Sequence, residues 1–427
     1  MIKKEEQYII GESGEIALSE SPSWVQNLHR AFPAFKYRDF RLYFAGQLVS
    51  LVGTWLQTVA QGFLVYQLTG SEIWLGVIAA LQMIPVLLFS LFGGLLVDRV
   101  RKRYLIIATQ TGQMIIALAL AGITLAGWVN PYHIAFFSVL LGIMNAIDMP
   151  ARQTFMQMIV DKKYVSSAVS LSAGTFNAAR AIGPAFAGIL IGVVGVGGAF
   201  IINGLSFIAV IIALLQMEIR EKVVRHDVRP IRAIKEGLKY AFGHDVIRPL
   251  LLLASSNSIF GWSYVAIMPV VASDVFNSPA IGLGYLQSAA GAGAVCGAII
   301  VSSMGRKIAS RFFILGGTLI FSLGILAFSY TIHLTSAMIM MFISGWGLIM
   351  AFAMTNTAIQ LRAPEAIRGR VMSIYTLMFV GMSPFGSLEI GYLSKEFGVM
   401  NALRINAFIM LILLMVIIVL VRKLREI

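Results

Sequence analysis

Residues 165–194 read VSSAVSLSAGTFNAARAIGPAFAGILIGVV, small or apolar almost throughout, with one charge at Arg180, three positions ahead of Gly183-Pro184. A helix needs about 20 apolar residues to cross the ~30 Å hydrocarbon layer of a bilayer, and this run exceeds that length. The whole chain shares its character, with 58% hydrophobic and 12% charged residues over 427 positions and a mean hydropathy of +0.83. A soluble helical protein of this size would carry roughly a quarter charged residues. The bilayer is therefore the solvent to which the sequence is fitted. A single cysteine, Cys296, inside an apolar segment, excludes a disulfide framework and a multi-thiolate metal site.

Working outward, twelve segments reach crossing length: 42–68, 73–97, 104–128, 134–151, 165–194, 199–217, 250–276, 283–304, 312–330, 336–361, 371–393 and 402–421. GVVGVGG, 192–198, reads as a turn between two of them. Residues 1–21 are mixed polar and acidic and lack the basic-then-apolar order of a cleavable signal, so the first crossing is expected to act as the insertion signal. Of 33 Lys and Arg, only Arg180, Lys395 and Arg404 fall outside one alternating set of loops and the two terminal arms. That asymmetry predicts both termini in the cytoplasm. It also explains the net charge of +13 without nucleic acid, because the cations are spread loop by loop along one face; their expected partner is the anionic inner leaflet.

The expected organisation is an N-terminal arm (1–41), a six-helix bundle (42–217), a basic linker (218–248), a second six-helix bundle (249–421) and a short tail (422–427). The arm segment SWVQNLHRAFPAFKYRDFRLYF and the linker segment PIRAIKEGLKYAF are both amphipathic, as for helices lying at the membrane surface. A shift of 203 residues aligns Gln157 with Gln360, Ser170 with Ser373, Gly183 with Gly386, Gly188 with Gly391 and Gly94 with Gly297. In each half a basic loop leads into a small-residue helix at the same place, the mark of a parallel repeat about an axis normal to the membrane.

The loop GGLLVDRVRKR, 93–103, resembles the signature of the major facilitator superfamily: Gly, three residues, Asp-Arg, then a basic cluster. It departs at Arg101, where the family usually has Gly, and the second-half counterpart GAIIVSSMGRK lacks the acid, with Ser302 in its place. A narrower resemblance covers most of the first half. GTWLQTVAQGFLVYQLTGS (53–71), DMPARQTF (148–155), NAARAIGPAFAG (177–188) and the linker's EGLKY are similar to the enterobactin-exporter-like branch, the transmembrane secretion effectors, which includes drug and siderophore exporters. The resemblance implies an all-α integral membrane protein of the major facilitator fold, twelve helices in two six-helix pseudo-repeats. It further implies a monomeric secondary transporter in the bacterial cytoplasmic membrane, exporting a small organic molecule by alternating access at the expense of a proton gradient, with no cofactor. A lipid or lysolipid flippase of the same fold is the alternative, and a membrane scaffold or enzyme a remote one. Ser170, Ala179, Gly183, Pro184, Ala187 and Gly188 follow the register of the superfamily's antiporter signature with several glycines replaced; such residues let helix backbones approach closely.

The candidate substrate residues follow from the need for a polar cavity between the halves. On the first crossing Thr54, Gln57, Thr58 and Gln61 form a polar stripe, from which Gln57 and Gln61 are expected to line the cavity. Asn257, Trp262 and Tyr264 are their counterparts on the seventh. Asn177 and Arg180 are expected on the fifth, since an arginine at mid-helix is expensive and ordinarily faces a bundle interior or a wet cavity. Asp98 and Arg99, with Asp148 and Arg152 on the fourth crossing, are candidate gating residues. Asp148 and Glu389 are candidate proton sites, although Arg152 one turn from Asp148 also suits a local ion pair. Nothing resembles a phosphate-binding loop, and the five histidines fall in arms or loops, so neither ATP hydrolysis nor a metal site is expected.

Overall fold

The computed structural model describes residues 32–217, 219, 230–305, 308–365 and 367–420. The N-terminal arm up to residue 31, most of the basic linker before residue 230, Arg306, Lys307 and the C-terminal tail lie outside the described residues. A short helical turn, Pro33–Lys36, leads into α1 (Arg38–Thr69), followed by α2 (Glu72–Arg99), α3 (Lys102–Leu125), α4 (Pro131–Met156) and α5 (Val165–Leu215). After the linker helix α6 (Pro230–Gly243), the second half contains α7 (Ile247–Ser256), α8 (Tyr264–Val270), α9 (Pro279–Met304), α10 (Ser310–Phe328), α11 (Leu334–Arg362), α12 (Arg368–Phe379), α13 (Ser383–Phe397) and α14 (Val399–Leu420).

Among the described residues eleven hydrophobic spans can be delimited, one of them 54 residues long, Lys162–Leu215. As a straight rod it would measure roughly 80 Å at 1.5 Å per residue, far beyond the bilayer. Gly195, inside the expected GVVGVGG turn, breaks it with φ 70° and ψ 177°, a conformation open to glycine because it has no Cβ. The two arms fold back. Tyr164, just before α5, packs against Tyr37 with ring centroids 6.1 Å apart, while Arg103 at the start of α3 donates to the Leu215 carbonyl at 2.8 Å, so both ends of α5 lie on the face of the basic loops. Counting α5 as two crossings gives twelve.

Two expected crossings are interrupted. The seventh runs through α7, a π-helical segment at Asn257–Trp262, α8 and a second such segment at Val271–Val275. The eleventh is divided into α12 and α13 by residues 380–382. At the other extreme α4 begins cleanly: Asn130 Oδ1 accepts from the His133 N–H at 3.0 Å, with Pro131 in the first turn, a pairing that satisfies one exposed backbone donor and fixes φ for the helix.

The repeat read from the sequence is present in the packing. Gly183 on α5 abuts Trp55 of α1, and its counterpart Gly386 on α13 abuts Ile259 in the seventh crossing. Gly188 on α5 abuts Ala280 of α9, and its counterpart Gly391 abuts Gly76 of α2. The two bundles therefore meet along two equivalent seams, α5 with α9 and α2 with α13, where missing side chains bring backbones together.

The buried apolar core shows how the bundles are joined. One cluster draws on both halves, including Leu56, Leu64, Ile134 and Phe200 from the first with Tyr264, Ile267, Leu286 and Phe321 from the second. Toward the basic loops the core divides. Phe40, Tyr43, Ile106, Phe155 and Leu214 form a cluster confined to the first half, and Ile247, Leu250, Phe313, Ile359 and Val371 one confined to the second, together with Ala241 of α6. The halves are sealed on the face away from the basic loops and separate toward them. The linker helix packs on the second bundle: Gly237 sits on Arg370 and Ile374 of α12, and Glu236 pairs with Arg370 at 2.6 Å.

Candidate functional site

The apex of the cleft between the halves is built around residues 165–194. On α5 the positions Ala179, Arg180, Gly183, Pro184, Ala187 and Gly188 are buried, whereas Ile182, Phe186 and Ile189 are exposed, as is Ser170 near the helix start. Pro184 has no N–H, so the carbonyl of Arg180, four residues back, loses its helical donor. Gly291 of α9 sits against that carbonyl and Ala181, and Gly284 against the Pro184 carbonyl. The Ala185 N–H donates to Ser288 Oγ of α9 at 2.7 Å. The small-residue face thus forms the seam with the second half and fixes the direction of Arg180.

That direction is across the molecule. The Arg180 guanidinium lies 4.5 Å from the Trp262 ring centroid and interacts electrostatically with Tyr264. Arg180 is 9% exposed and Tyr264 3%. Trp262 meets Phe379 edge to face at 6.2 Å, and Phe379 packs tilted against Phe352 at 4.5 Å. One turn from Arg180 toward the basic face, Phe176 is exposed beside Trp55 at 6.4 Å, and Asn177 turns its amide back to the Ala173 carbonyl at 2.8 Å. A guanidinium at the apex of an aromatic cleft offers a fixed positive charge, planar donors and ring faces to one ligand.

The other expected cavity residues are placed differently. Gln57 accepts from Asn203 in the second arm of α5 and Gln61 donates to Ser138 of α4 at 2.8 Å; both are buried. They join helices inside the first bundle and do not form the cleft wall. Gly62 abuts Pro269 of the other half, which fixes the face of α1 turned to the cleft, and Thr58 and Thr54, four and eight residues back on that face, are exposed. Asn257 is buried with its Oδ1 lacking a hydrogen-bond partner among the described residues; Gly261, further along the same segment, abuts Phe321 and Met410 inside the second bundle. Trp55, Phe176, Phe352 and Phe379 were not singled out in the sequence. The i, i+4, i+8 register of Thr54, Thr58 and Gly62 was a usable signal for the wall of α1.

The candidate gating residues also divide. Arg99 is exposed at the end of α2, and the Asp98 side chain lies outside the described residues. Asp148 is buried, accepts from Thr109 at 2.6 Å and Gln110 at 3.2 Å, and pairs with Arg152 one turn on; Tyr43 of α1 is within reach of Arg152. The nearby Gln113 donates to Asn145 at 3.3 Å. This polar cluster ties α1, α3 and α4 within one half, so Asp148 and Arg152 make a local ion pair and do not bridge the halves. A bridge that the sequence reading missed lies on the opposite face, where the Tyr66 hydroxyl of α1 donates to Asp274 after α8 at 2.5 Å. Glu389 on α13 is half-buried and accepts from Asn406 of α14 at 3.0 Å, inside the second bundle; Arg180 has other partners.

Two repeated helical bundles, joined on one face and enclosing a charged aromatic cleft that opens on the other, define a multi-pass membrane transporter of the major facilitator type, not an enzyme. The chain belongs to the transmembrane secretion effector family, whose sequence profile matches residues 29–427. It is 22% identical over 390 residues to the staphyloferrin A transporter of Staphylococcus aureus, covering 90% of this chain and 97% of that protein. It is 22% identical to the enterobactin exporter EntS of Escherichia coli, covering 95% and 97%, and 25% identical to the multidrug efflux pump Tap of Mycobacterium tuberculosis, covering 82% and 86%. Among solved structures, a bacterial homolog of the human lysosomal transporter Spinster, in an inward-facing and unoccupied conformation, superposes with a TM-score of 0.74 over 91% of this chain and 97% of that one, at 14% identity.

Proposed function

We propose that the protein is a proton-driven exporter of small anionic or amphipathic organic molecules, of siderophore or drug type, in the bacterial cytoplasmic membrane. The observation that carries this reading is Arg180, held at the apex of a cleft that opens toward the basic loops. With those loops in the cytoplasm, the cleft is loaded from the cytoplasm, and transport requires the Tyr66–Asp274 face to open as the basic face closes. A carboxylate or catecholate group would meet the guanidinium, and the rest of the molecule the rings of Trp262, Phe379 and Trp55. The siderophore and multidrug relatives support this substrate range; the spread of basic residues supports the orientation.

Purified protein in proteoliposomes, offered staphyloferrin A and enterobactin in turn, is expected to move at least one of them away from the side of the basic loops, faster under an opposing proton gradient. Transport of neither compound would overturn the siderophore reading. Transport indifferent to the gradient would overturn the proton coupling. Orientation is read independently by cysteines placed in a Cys296→Ala background: Ser71→Cys and Ser278→Cys are expected to label from outside intact cells and Ser303→Cys only after permeabilisation.

A further inference from the structure

Behind the Arg180 site, on the far side of the seventh crossing, Glu389 lies in a small polar cluster that the substrate contacts do not use. Its carboxylate accepts from Asn406 Nδ2 at 3.0 Å, and the same amide nitrogen faces Ser263 Oγ at 3.4 Å. Asn406 is fully buried and Ser263 nearly so. The Asn406 Oδ1 is buried with no hydrogen-bond donor among the described residues. An orphaned buried acceptor costs about 1–3 kcal/mol and in a native structure calls for a reason. Turning the amide over does not fill that position, which then holds Nδ2, but it changes what Asn406 offers to Glu389. Amide nitrogen and oxygen occupy nearly the same shape, so turning the Asn406 amide over lets a protonated Glu389 donate to Oδ1 with the heavy atoms in place, while the ionised acid receives Nδ2–H as observed. The cluster has a good partner for either state of the acid.

Its place in the seventh crossing connects it to the cleft. Trp262, Ser263 and Tyr264 are consecutive. The first and third meet Arg180, and the second meets Asn406. They stand at the end of the π-helical segment Asn257–Trp262, where the widened turn replaces regular α-helical bonding; such turns recur at functional sites. Other ionisable groups on the elements around α13 are directed elsewhere. Glu72 of α2 acts electrostatically on Tyr66, Tyr264 faces Arg180, Arg404 of α14 bonds the Ser329 carbonyl and stacks on Tyr330, and Lys395 and Glu396 are exposed at the outer end of α13 itself.

We propose that Glu389 is the proton-carrying residue of the transport cycle, that Asn406 is its amide partner, and that the Trp262–Tyr264 turn couples its protonation to the substrate contacts of Arg180. The proton comes from water and returns to water; only the O–H bond at Glu389 forms and breaks. A carboxylate held at membrane depth is costly, and such residues commonly mark ion pathways. The inference rests on the reading of the protein as a proton-driven exporter and assigns its proton to one of the two candidate acids.

The first test needs no substrate. Infrared difference spectra of the purified protein in lipid, recorded as the pH is lowered, are expected to show a protonated-carboxyl carbonyl band that Glu389→Gln lacks and that Asn406→Leu shifts. A band unchanged in Glu389→Gln, or unmoved in Asn406→Leu, would overturn the assignment. The second uses proteoliposomes with staphyloferrin A or enterobactin as probe, whichever the wild-type protein carries. Glu389→Gln is expected to keep exchange of labelled for unlabelled compound and to lose its response to the proton gradient. Loss of exchange as well, or a gradient response equal to wild type, would overturn the proposal. A wild-type protein that transports without any gradient response would remove the proton-driven reading itself, a result distinct from failure of Glu389 alone.

Discussion

The guanidinium of Arg180 sits 4.5 Å from the Trp262 ring centroid, and the two residues come from opposite halves of the molecule. On the proposed function this contact would link substrate chemistry to the state of the cleft, because any motion that moves the two halves apart at the α5–α9 seam separates charge from ring. A desolvated cation–π pair contributes on the order of 2 kcal/mol. Arg180→Ala is therefore expected to insert and fold but to lose transport of an anionic siderophore, measured in proteoliposomes. Arg180→Lys keeps the charge without the planar fork that stacks and bonds together, so it should restore only part of the activity. Near-normal transport by a folded Arg180→Ala protein would leave the arginine as a packing residue.

Tyr66 and Asp274 close the opposite face. A hydrogen bond to a charged group contributes about 1.5–3 kcal/mol, and this one exists only while the two halves are together on that face. Tyr66→Phe is expected to shift the population toward the state open on that side. In a Cys296→Ala background, Thr58→Cys should then label faster from outside than it does with Tyr66 intact. Equal labelling rates would show that the apolar seam, not the hydroxyl, holds the face shut.

Asp148 and Arg152 pair within one bundle, which sets their role apart from a gate. Removing one partner of a buried ion pair costs about 3–5 kcal/mol, since it strands the other charge, whereas removing both costs much less. Asp148→Asn should lower the melting temperature of the detergent-solubilised protein, and Asp148→Asn with Arg152→Gln should recover part of the loss. Unchanged melting with abolished transport in the single variant would return the pair to a gating role.

The twelve crossings and the twofold repeat were legible because the length of an apolar run decides whether a segment spans, and that length is a property of the run itself. Arg180 was legible for a related reason: one charge in thirty residues needs a special environment. The facing of α1 was not. Gln57 and Thr58 are adjacent, and either side chain suits a wet cavity or a helix contact; what separates them is Asn203, 146 positions away, which holds Gln57. Asp148 is similar, its partners Thr109 and Gln110 being 39 and 38 positions distant. The widened turn before Ser263 has no local signature, since NSIFGW contains no proline and its path is set by neighbours such as Gly386, which abuts the Ile259 carbonyl.

Gly291 tests the seam on which the Arg180 site depends. A Cβ at this position would collide with the Arg180 carbonyl and the Ala181 backbone, atoms that cannot rotate away as a side chain can. The carbonyl is close because Pro184 supplies it with no helical donor and α9 closes over it, so Gly291→Ala must push α9 from α5. Overpacking of this kind costs about 1–3 kcal/mol. Gly316 on α10 is the control, since a Cβ there meets nothing within 4 Å, and Gly→Ala in an unobstructed helix stabilises by up to about 1 kcal/mol. Gly291→Ala is expected to lower both the melting temperature and the transport rate, with Gly316→Ala leaving transport unchanged and melting the same or slightly higher. Equal behaviour of the two variants would mean that the α5–α9 approach does not constrain Arg180.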